Sequence, residues 1–131
     1  MRNSFIILVI LIIATALFLY ARQFSQNKDI TSISAEDVQK KIESKEDIVL
    51  LDVRTPQEFN GPLGHIEGAI LIPVQNLADS IASLEKYKDK EVIVYCRSGN
   101  RSQGGTQLMQ ENGFNAVNML GGMKAWNKLK K

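Results

Sequence analysis

One stretch decides the fold of this chain: Val92-Ile93-Val94-Tyr95-Cys96-Arg97-Ser98-Gly99-Asn100-Arg101-Ser102. Its first four residues are β-branched or aromatic and too few for a helix, so they predict a buried strand. Residues 107–110 suit a helix, which is expected to end near Asn112-Gly113, a pair typical of helix C-termini. The sole cysteine, Cys96, therefore lies where a strand is followed by a helix. Ligands bind at that edge of an open α/β sheet.

The residues that follow Cys96 have the composition of a site for an anionic sulfur. A backbone curl would turn N–H groups toward the sulfur, and the next helix would add its positive N-terminal end. Gly99 and Asn100 supply the conformational freedom that a tight curl needs. Arg97 and Arg101 bring two positive charges, which we expect to lower the pKa of the thiol. A lone cysteine is more often inert and buried, but these neighbours favour a reactive thiolate.

A second pair of motifs lies earlier in the chain. Residues 50–59 read LLDVRTPQEF, and residues 64–73 read GHIEGAILIP. Together with the cysteine loop, these stretches resemble single-domain rhodaneses, which are sulfurtransferases, over about residues 33–129. The resemblance lies in the LDVR-type strand end, the acidic–aromatic pair and the GHI-x-GA turn. Two features differ from the family pattern: about two extra residues precede Gly64, and Glu67 stands where proline is common.

The resemblance implies an α/β domain with an open, mostly parallel five-stranded sheet and helices on both faces. From the residue pattern, Ser34 suits the N-cap of a helix that buries Val38 and Ile42 and ends before Asp47. The other predicted elements are strands at 48–51, 69–72 and 116–120, a helical turn at 56–59, and helices at 76–86 and 123–130, the last packing Trp126 and Leu129 on the sheet. The predicted organisation is a transmembrane segment at 1–22, a polar tether at 23–31 and a rhodanese-like domain at 32–131.

Residues 5–21 form an apolar segment without charge, proline or glycine. About 17 residues rising about 1.5 Å each reach about 25 Å, near the lower limit for crossing a bilayer. A retained anchor and a cleavable signal peptide both fit. Ala14-Thr15-Ala16 has the form of a cleavage site, but cleavage there would leave an apolar mature end. We therefore favour the anchor.

The charged residues that flank this segment bear on its orientation in the membrane. Arg2 precedes it, whereas Arg22 and Lys28 follow it, so the positive-inside count is nearly balanced. An early arginine in a short flank is also typical of exported proteins. We expect a single pass through the cytoplasmic membrane with the domain on the periplasmic or outer side. Cleavage would instead give a secreted or periplasmic protein.

Three polar residues outside the loop are candidates for supporting it. Asp52 and Arg54 end a predicted strand at the same sheet edge as Cys96, where Asp52 is expected to orient Arg101 or Arg54. A solvated surface ion pair is the alternative. His65 is the only histidine, and its GHI-x-GA turn favours a hydrogen bond that fixes the turn over a role as base. The sequence offers no set of metal ligands and implies no cofactor.

Composition narrows the class of partner. The chain carries 16 basic and 14 acidic residues, and excluding Arg2 and Arg22 leaves equal numbers. A neutral domain gives no reason to expect a nucleic acid. One cysteine cannot form an internal disulfide, so cysteine usage does not reveal the redox compartment.

The chemistry implied by the resemblance is transfer of sulfane sulfur through a Cys96 persulfide, from a donor such as thiosulfate to cyanide or a thiol. The predicted donor-binding residues are those of the loop: Arg97, Ser98, Gly99, Asn100, Arg101 and Ser102. Cysteine phosphatases and arsenate reductases use a wider Cys-x5-Arg loop, whereas Arg101 here gives Cys-x4-Arg. A membrane-tethered persulfide carrier or binding module, served by a protein sulfur-relay partner, is a further alternative.

Overall fold

The computed structural model describes residues 1–25 and 29–130. Five strands alternate with helices: β1 (Ser32–Ile33), β2 (Ile48–Asp52), β3 (Ile70–Leu71), β4 (Glu91–Tyr95) and β5 (Asn115–Met119). The helices are α1 (Arg2–Ser25), α2 (Ala35–Glu43), α3 (Pro56–Phe59), α4 (Val74–Leu84), α5 (Asn100–Glu111) and α6 (Gly122–Lys128). Part of the predicted tether, residues 26–28, lies outside the described residues.

All strand pairs in the sheet are parallel, and the strand order is β1-β5-β4-β2-β3. The predicted α/β class is confirmed, with a sheet that is wholly rather than mostly parallel. In the central part of the sheet Asp52 pairs with Tyr95, so the carboxyl ends of β2 and β4 lie side by side. That register places the LDVR strand end next to the cysteine loop.

The two faces of the sheet carry separate apolar cores, because side chains alternate along each strand. On one face Val92 and Val94 of β4 pack with residues of α4 and α5, including Leu77, Leu84 and Met109. On the other face Ile93 and Tyr95 pack with residues of α2 and α6, including Val38, Met123 and Trp126. Leu129 packs against this second core, as predicted. Helices therefore cover both faces.

Local sequence signals explain most helix boundaries. Ser34 caps α2, accepting a hydrogen bond of 3.1 Å from the backbone N–H of Asp37. The prediction that Ile42 is buried is wrong: it lies in the last turn of α2, borders a surface groove with Ile48 and is 36% exposed. Helix α4 begins at Val74, two residues earlier than predicted; Pro73 is its N-cap and has the extended backbone (φ −53°, ψ 142°) that N-cap residues usually adopt.

Helix α1 differs from the rest of the structure in its exposure. Its segment Asn3–Arg22 is 20 residues long, apolar enough to cross a membrane, and not buried against the domain. Large side chains such as Phe18 are more than half exposed. Length and composition suit a membrane anchor or a signal segment equally.

Candidate active site

The loop after β4 curls around the sulfur of Cys96. Gly99 has φ 99°, in the left-handed region that favours glycine, and it directly precedes α5. This turn brings its N–H group to 3.1 Å from Cys96 Sγ, to which it donates. The hydroxyl of Ser102, in the first turn of α5, lies 3.3 Å from the same sulfur. Cys96 itself is almost fully buried, with 1% exposure.

The electrostatics of the thiol come from these short-range donors. Burial raises the pKa of Cys96. Hydrogen bonds from the Ser102 hydroxyl and from the N–H groups of Ser102, Ser98 and Gly99 lower it by more than burial raises it, so the pKa lies below its ordinary value. The predicted backbone nest around the sulfur is therefore present, and its N–H groups are among the main contacts that lower the pKa. Arg101 interacts with Cys96 through its charge, but the hydrogen bonds of its guanidinium go to another partner.

That partner of Arg101 is Glu58 of α3. The guanidinium donates two hydrogen bonds to the carboxylate, of 2.6 and 2.7 Å. The backbone N–H of Thr55 donates to the same carboxylate, which completes a capping box at the start of α3. Hydrogen bonds from Arg101 hold the pKa of Glu58 at about 2. Sequence reasoning missed Glu58 as a site residue, although the Thr55-x-x-Glu58 spacing of a capping box was a usable signal.

Asp52 pairs with Arg54, and both side chains are buried, at 0% and 1% exposure. The shortest contact, from Nη2 of Arg54 to Oδ2 of Asp52, is 2.7 Å. Arg54 also donates to the carbonyl oxygens of Glu58, at 3.2 Å, and Gly64, at 2.7 Å. The pair is therefore not a solvated surface contact. It ties α3 and the GHI-x-GA turn to the carboxyl end of β2.

His65 lies on the turn itself and is exposed. Its Nδ1 is 2.9 Å from the carbonyl oxygen of Phe59, and the two rings stack at 3.5 Å between centroids with an angle of 10°. The backbone N–H of the next residue, Ile66, donates to the hydroxyl of Tyr95 at 3.2 Å. These contacts connect the turn to α3 and to β4, which suits a structural role for His65.

The remaining predicted loop residues are exposed: Arg97, Ser98 and Asn100. Arg97 lines a pocket of about 330 Å³ together with Arg54, Glu58, Pro62 and Leu63. Pro62 and Leu63 belong to the connector (residues 60–64). The pocket is thus lined by two cationic side chains, one acidic side chain and two apolar ones.

The first turn of α6 holds the cysteine loop through backbone hydrogen bonds. The N–H of Met123 donates to the carbonyl of Cys96 at 2.9 Å, and that of Lys124 donates to the carbonyl of Arg97 at 3.0 Å. A Cβ at Gly122 would lie only 2.3 Å from the carbonyl oxygen of Cys96. Gly122 is thus a residue of the site that was not predicted from the sequence.

Within residues 1–25 and 29–130, no three His, Cys, Asp or Glu side chains are grouped so that they could hold a metal ion. The site therefore consists of one sulfur, the donors around it and the cationic groups beside it. Such an arrangement can stabilise a thiolate or a persulfide and attract a small anion.

Comparison with known proteins identifies the family. The rhodanese-like domain family matches residues 34–129. YtwF of Bacillus subtilis is 38% identical over 98 residues, 75% of this chain and 91% of YtwF. A protein named sulfurtransferase from Allochromatium vinosum is 34% identical over 98 residues, 74% of this chain and 88% of that protein.

Among solved structures, a rhodanese-like domain protein from Staphylococcus aureus superposes with a TM-score of 0.67 at 32% identity. That match covers 74% of this chain and 91% of the S. aureus chain. The family match and the structural match therefore both agree with the LDVR and cysteine-loop motifs, which lie at the carboxyl ends of β2 and β4. The chain belongs to the rhodanese-like sulfurtransferase family, with one buried cysteine in its loop.

Proposed function

We propose that this protein transfers sulfane sulfur from a small anionic donor such as thiosulfate to a thiol or to cyanide. The observation that carries the proposal is the pair of donors on Cys96 Sγ, the Gly99 N–H at 3.1 Å and the Ser102 hydroxyl at 3.3 Å. Such donors stabilise a sulfur anion whether it belongs to a thiolate or to a persulfide.

In the first step the Cys96 thiolate attacks the outer sulfur of thiosulfate. A new sulfur–sulfur bond forms, the bond inside the donor breaks, and sulfite leaves with its electron pair. In the second step cyanide or a thiolate attacks the terminal sulfur of the persulfide. The Cys96 thiolate then leaves and is ready for another cycle. The donors around Sγ lower the pKa of Cys96 and so favour the thiolate, which attacks without a general base.

Arg97 is the residue that we assign to capture of the anionic donor. It is exposed and lines the pocket, whereas the charge of Arg101 is paired with Glu58 and that of Arg54 with Asp52. The apolar side chains of Pro62 and Leu63 on the same pocket favour a second substrate with an apolar part, such as an organic thiol.

Incubation of the full chain with thiosulfate, followed by intact-protein mass spectrometry, tests the function. One added sulfur atom that cyanide removes supports transfer, and Cys96→Ser is the control that must gain nothing. An adduct without turnover on any acceptor would indicate a persulfide carrier served by a protein partner. Absence of an adduct together with hydrolysis of an aryl phosphate would replace the proposal with a phosphatase.

We also propose that residues 5–21 stay on the protein as a membrane anchor, with the domain on the periplasmic or outer side. The apolar segment of α1 supports this, because none of it is buried in the structure. Cell fractionation and an N-terminal mass measurement test retention of the segment. Protease access in spheroplasts tests the side, and a mature protein that lacks residues 1–16 would overturn the anchor.

A further inference from the structure

The hydroxyl of Ser102 has two neighbours that compete for one proton. Its Oγ lies 2.6 Å from Oδ1 of Asn118 and 3.3 Å from Sγ of Cys96. A serine hydroxyl carries a single donor proton and can also accept. While that proton points to Asn118 Oδ1, it cannot point to the sulfur, so Asn118 and Cys96 cannot both receive it at once.

Asn118 holds an unused donor beside this contact. It lies on β5 next to Val94 of β4, and it is 1% exposed. In the described part of the chain its Nδ2 has no hydrogen-bond partner. Burial of an amide without a partner is unfavourable, and such groups are rare in folded proteins. Rotation of the amide by half a turn exchanges Nδ2 and Oδ1 with almost no change in shape.

We propose that Asn118, Ser102 and Cys96 form a hydrogen-bond chain whose direction depends on the charge of the sulfur. With a neutral thiol, the S–H group donates to Ser102 Oγ, which donates to Asn118 Oδ1. When the thiol releases its proton to water, the amide turns and Nδ2 donates to Ser102 Oγ. The Ser102 proton is then free to donate to the thiolate.

The reversed chain favours the anion for two physical reasons. A hydrogen bond to a charged sulfur is stronger than one to a neutral group. Donation by Nδ2 also removes the alternative acceptor for the Ser102 proton and polarises the hydroxyl, which strengthens the bond to the sulfur. Asn118 is thus a positioning residue that acts through Ser102, and its importance for turnover rests on the proposed function.

The test measures the rate of Cys96 alkylation by iodoacetamide against pH, using the full chain in detergent micelles. Ser102→Ala is expected to raise the apparent pKa by about one unit, which lowers the rate about tenfold below that pKa. Asn118→Leu is expected to lower the alkylation rate about threefold, because the Ser102 hydroxyl then donates to nearby backbone carbonyls instead of the sulfur. Asn115→Leu, at an exposed position of the same strand, is the matched control and is expected to change nothing.

The double variant gives the decisive comparison. In a Ser102→Ala background, Asn118→Leu is expected to have no further effect, because the chain is already broken. An equal threefold loss in that background would overturn the proposal, as would an unchanged rate in a folded Asn118→Leu protein. Alkylation needs no sulfur donor, so its outcome is independent of whether the protein transfers sulfur.

A second measurement covers the case in which Asn118→Leu fails to fold. In protein labelled with ¹⁵N at asparagine, the side-chain NH₂ signals of Asn118 are expected to shift with the ionisation of Cys96. The shift is expected to disappear in Ser102→Ala. Signals that do not follow the thiol titration in the unmodified protein would overturn the proposal.

Discussion

The cysteine loop and the adjacent segment 52–64 stabilise negative charge by different means, the loop with neutral hydrogen-bond donors and the segment with ion pairs. Around Cys96 the groups that touch the sulfur are backbone N–H donors and a hydroxyl, all formally neutral. In segment 52–64 the charges pair with guanidinium groups, as in Asp52 with Arg54 and Glu58 with Arg101. The donors to the sulfur therefore come from the loop itself, whereas the charge of Arg101 is balanced by Glu58. The loop keeps its sulfur available, whereas the segment fixes the loop in place.

Removal of the sulfur is expected to have the largest effect on activity. Cys96→Ser is expected to lower turnover by at least about 1,000-fold, because a serine hydroxyl at this site is not ionised at neutral pH. Thermal unfolding of the variant is expected to change by less than about 1 kcal/mol, since the replacement keeps the shape. A cyanide–thiosulfate assay and calorimetry check both. Appreciable turnover would contradict a cysteine nucleophile.

A second prediction concerns Gly122, where α6 packs closely against the backbone of the cysteine loop. Gly122→Ala is expected to cost about 3 kcal/mol of folding free energy and most of the activity, because the added Cβ meets backbone at Cys96 and φ is positive. Denaturant unfolding measures the loss. Gly104→Ala is the matched control: it lies in α5 with open space around its Cβ. It is expected to stabilise the protein by about 0.5–1 kcal/mol.

A third prediction tests whether Arg97 binds the donor, in contrast to Arg101 and Arg54, which are paired with carboxylates. Arg97→Ala is expected to raise the KM for thiosulfate about tenfold with little change in kcat, because Arg97 is exposed on the pocket and is assigned to donor capture. The apparent pKa of Cys96, measured by alkylation, is expected to stay nearly constant. Lys124→Ala, another exposed cation, is the control. An unchanged KM would show that Arg97 does not face the donor.

The fourth concerns the Glu58–Arg101 pair and has the smallest expected effect. The folded-state pKa of Glu58 is about 2 against an ordinary 4.5, so its stabilisation is present above about 4.5 and lost as pH falls toward 2. Because both side chains are partly exposed, at 27% and 37%, we expect this loss to be only about 1 kcal/mol.

Denaturant unfolding at a series of pH values measures this loss. Glu58→Gln is expected to remove that part of the pH dependence, whereas Glu43→Gln, at an exposed position in α2, is expected to keep it. The alkylation rate of Cys96 is expected to change little in Glu58→Gln. A large change would mean that the charge of Arg101 is a main stabiliser of the sulfur anion, and the contrast between loop and segment would fail.

Much of the fold could be predicted because its signals are local. Residues 92–95 have strand composition and are followed by a turn, and Ser34 and Thr55 have side chains that cap helices. The strand β1 was missed because two residues are too few to show a pattern, and it forms only through pairing with β5. Ile42 was predicted to be buried because helical spacing identifies the inward face of α2, but it does not show how far along the helix neighbouring elements cover that face.

By itself, the sequence determined the α/β class, the cysteine loop and the apolar segment near the N-terminus, because composition and short-range spacing specify them. The side chains that hold the loop and its donors in place from other parts of the chain follow from the tertiary structure alone. Glu58 and Arg101 are 43 positions apart, and Ser102 and Asn118 are 16 apart. Such contacts depend on strand order and register, which bring distant residues to one sheet edge, and no local pattern encodes that pairing.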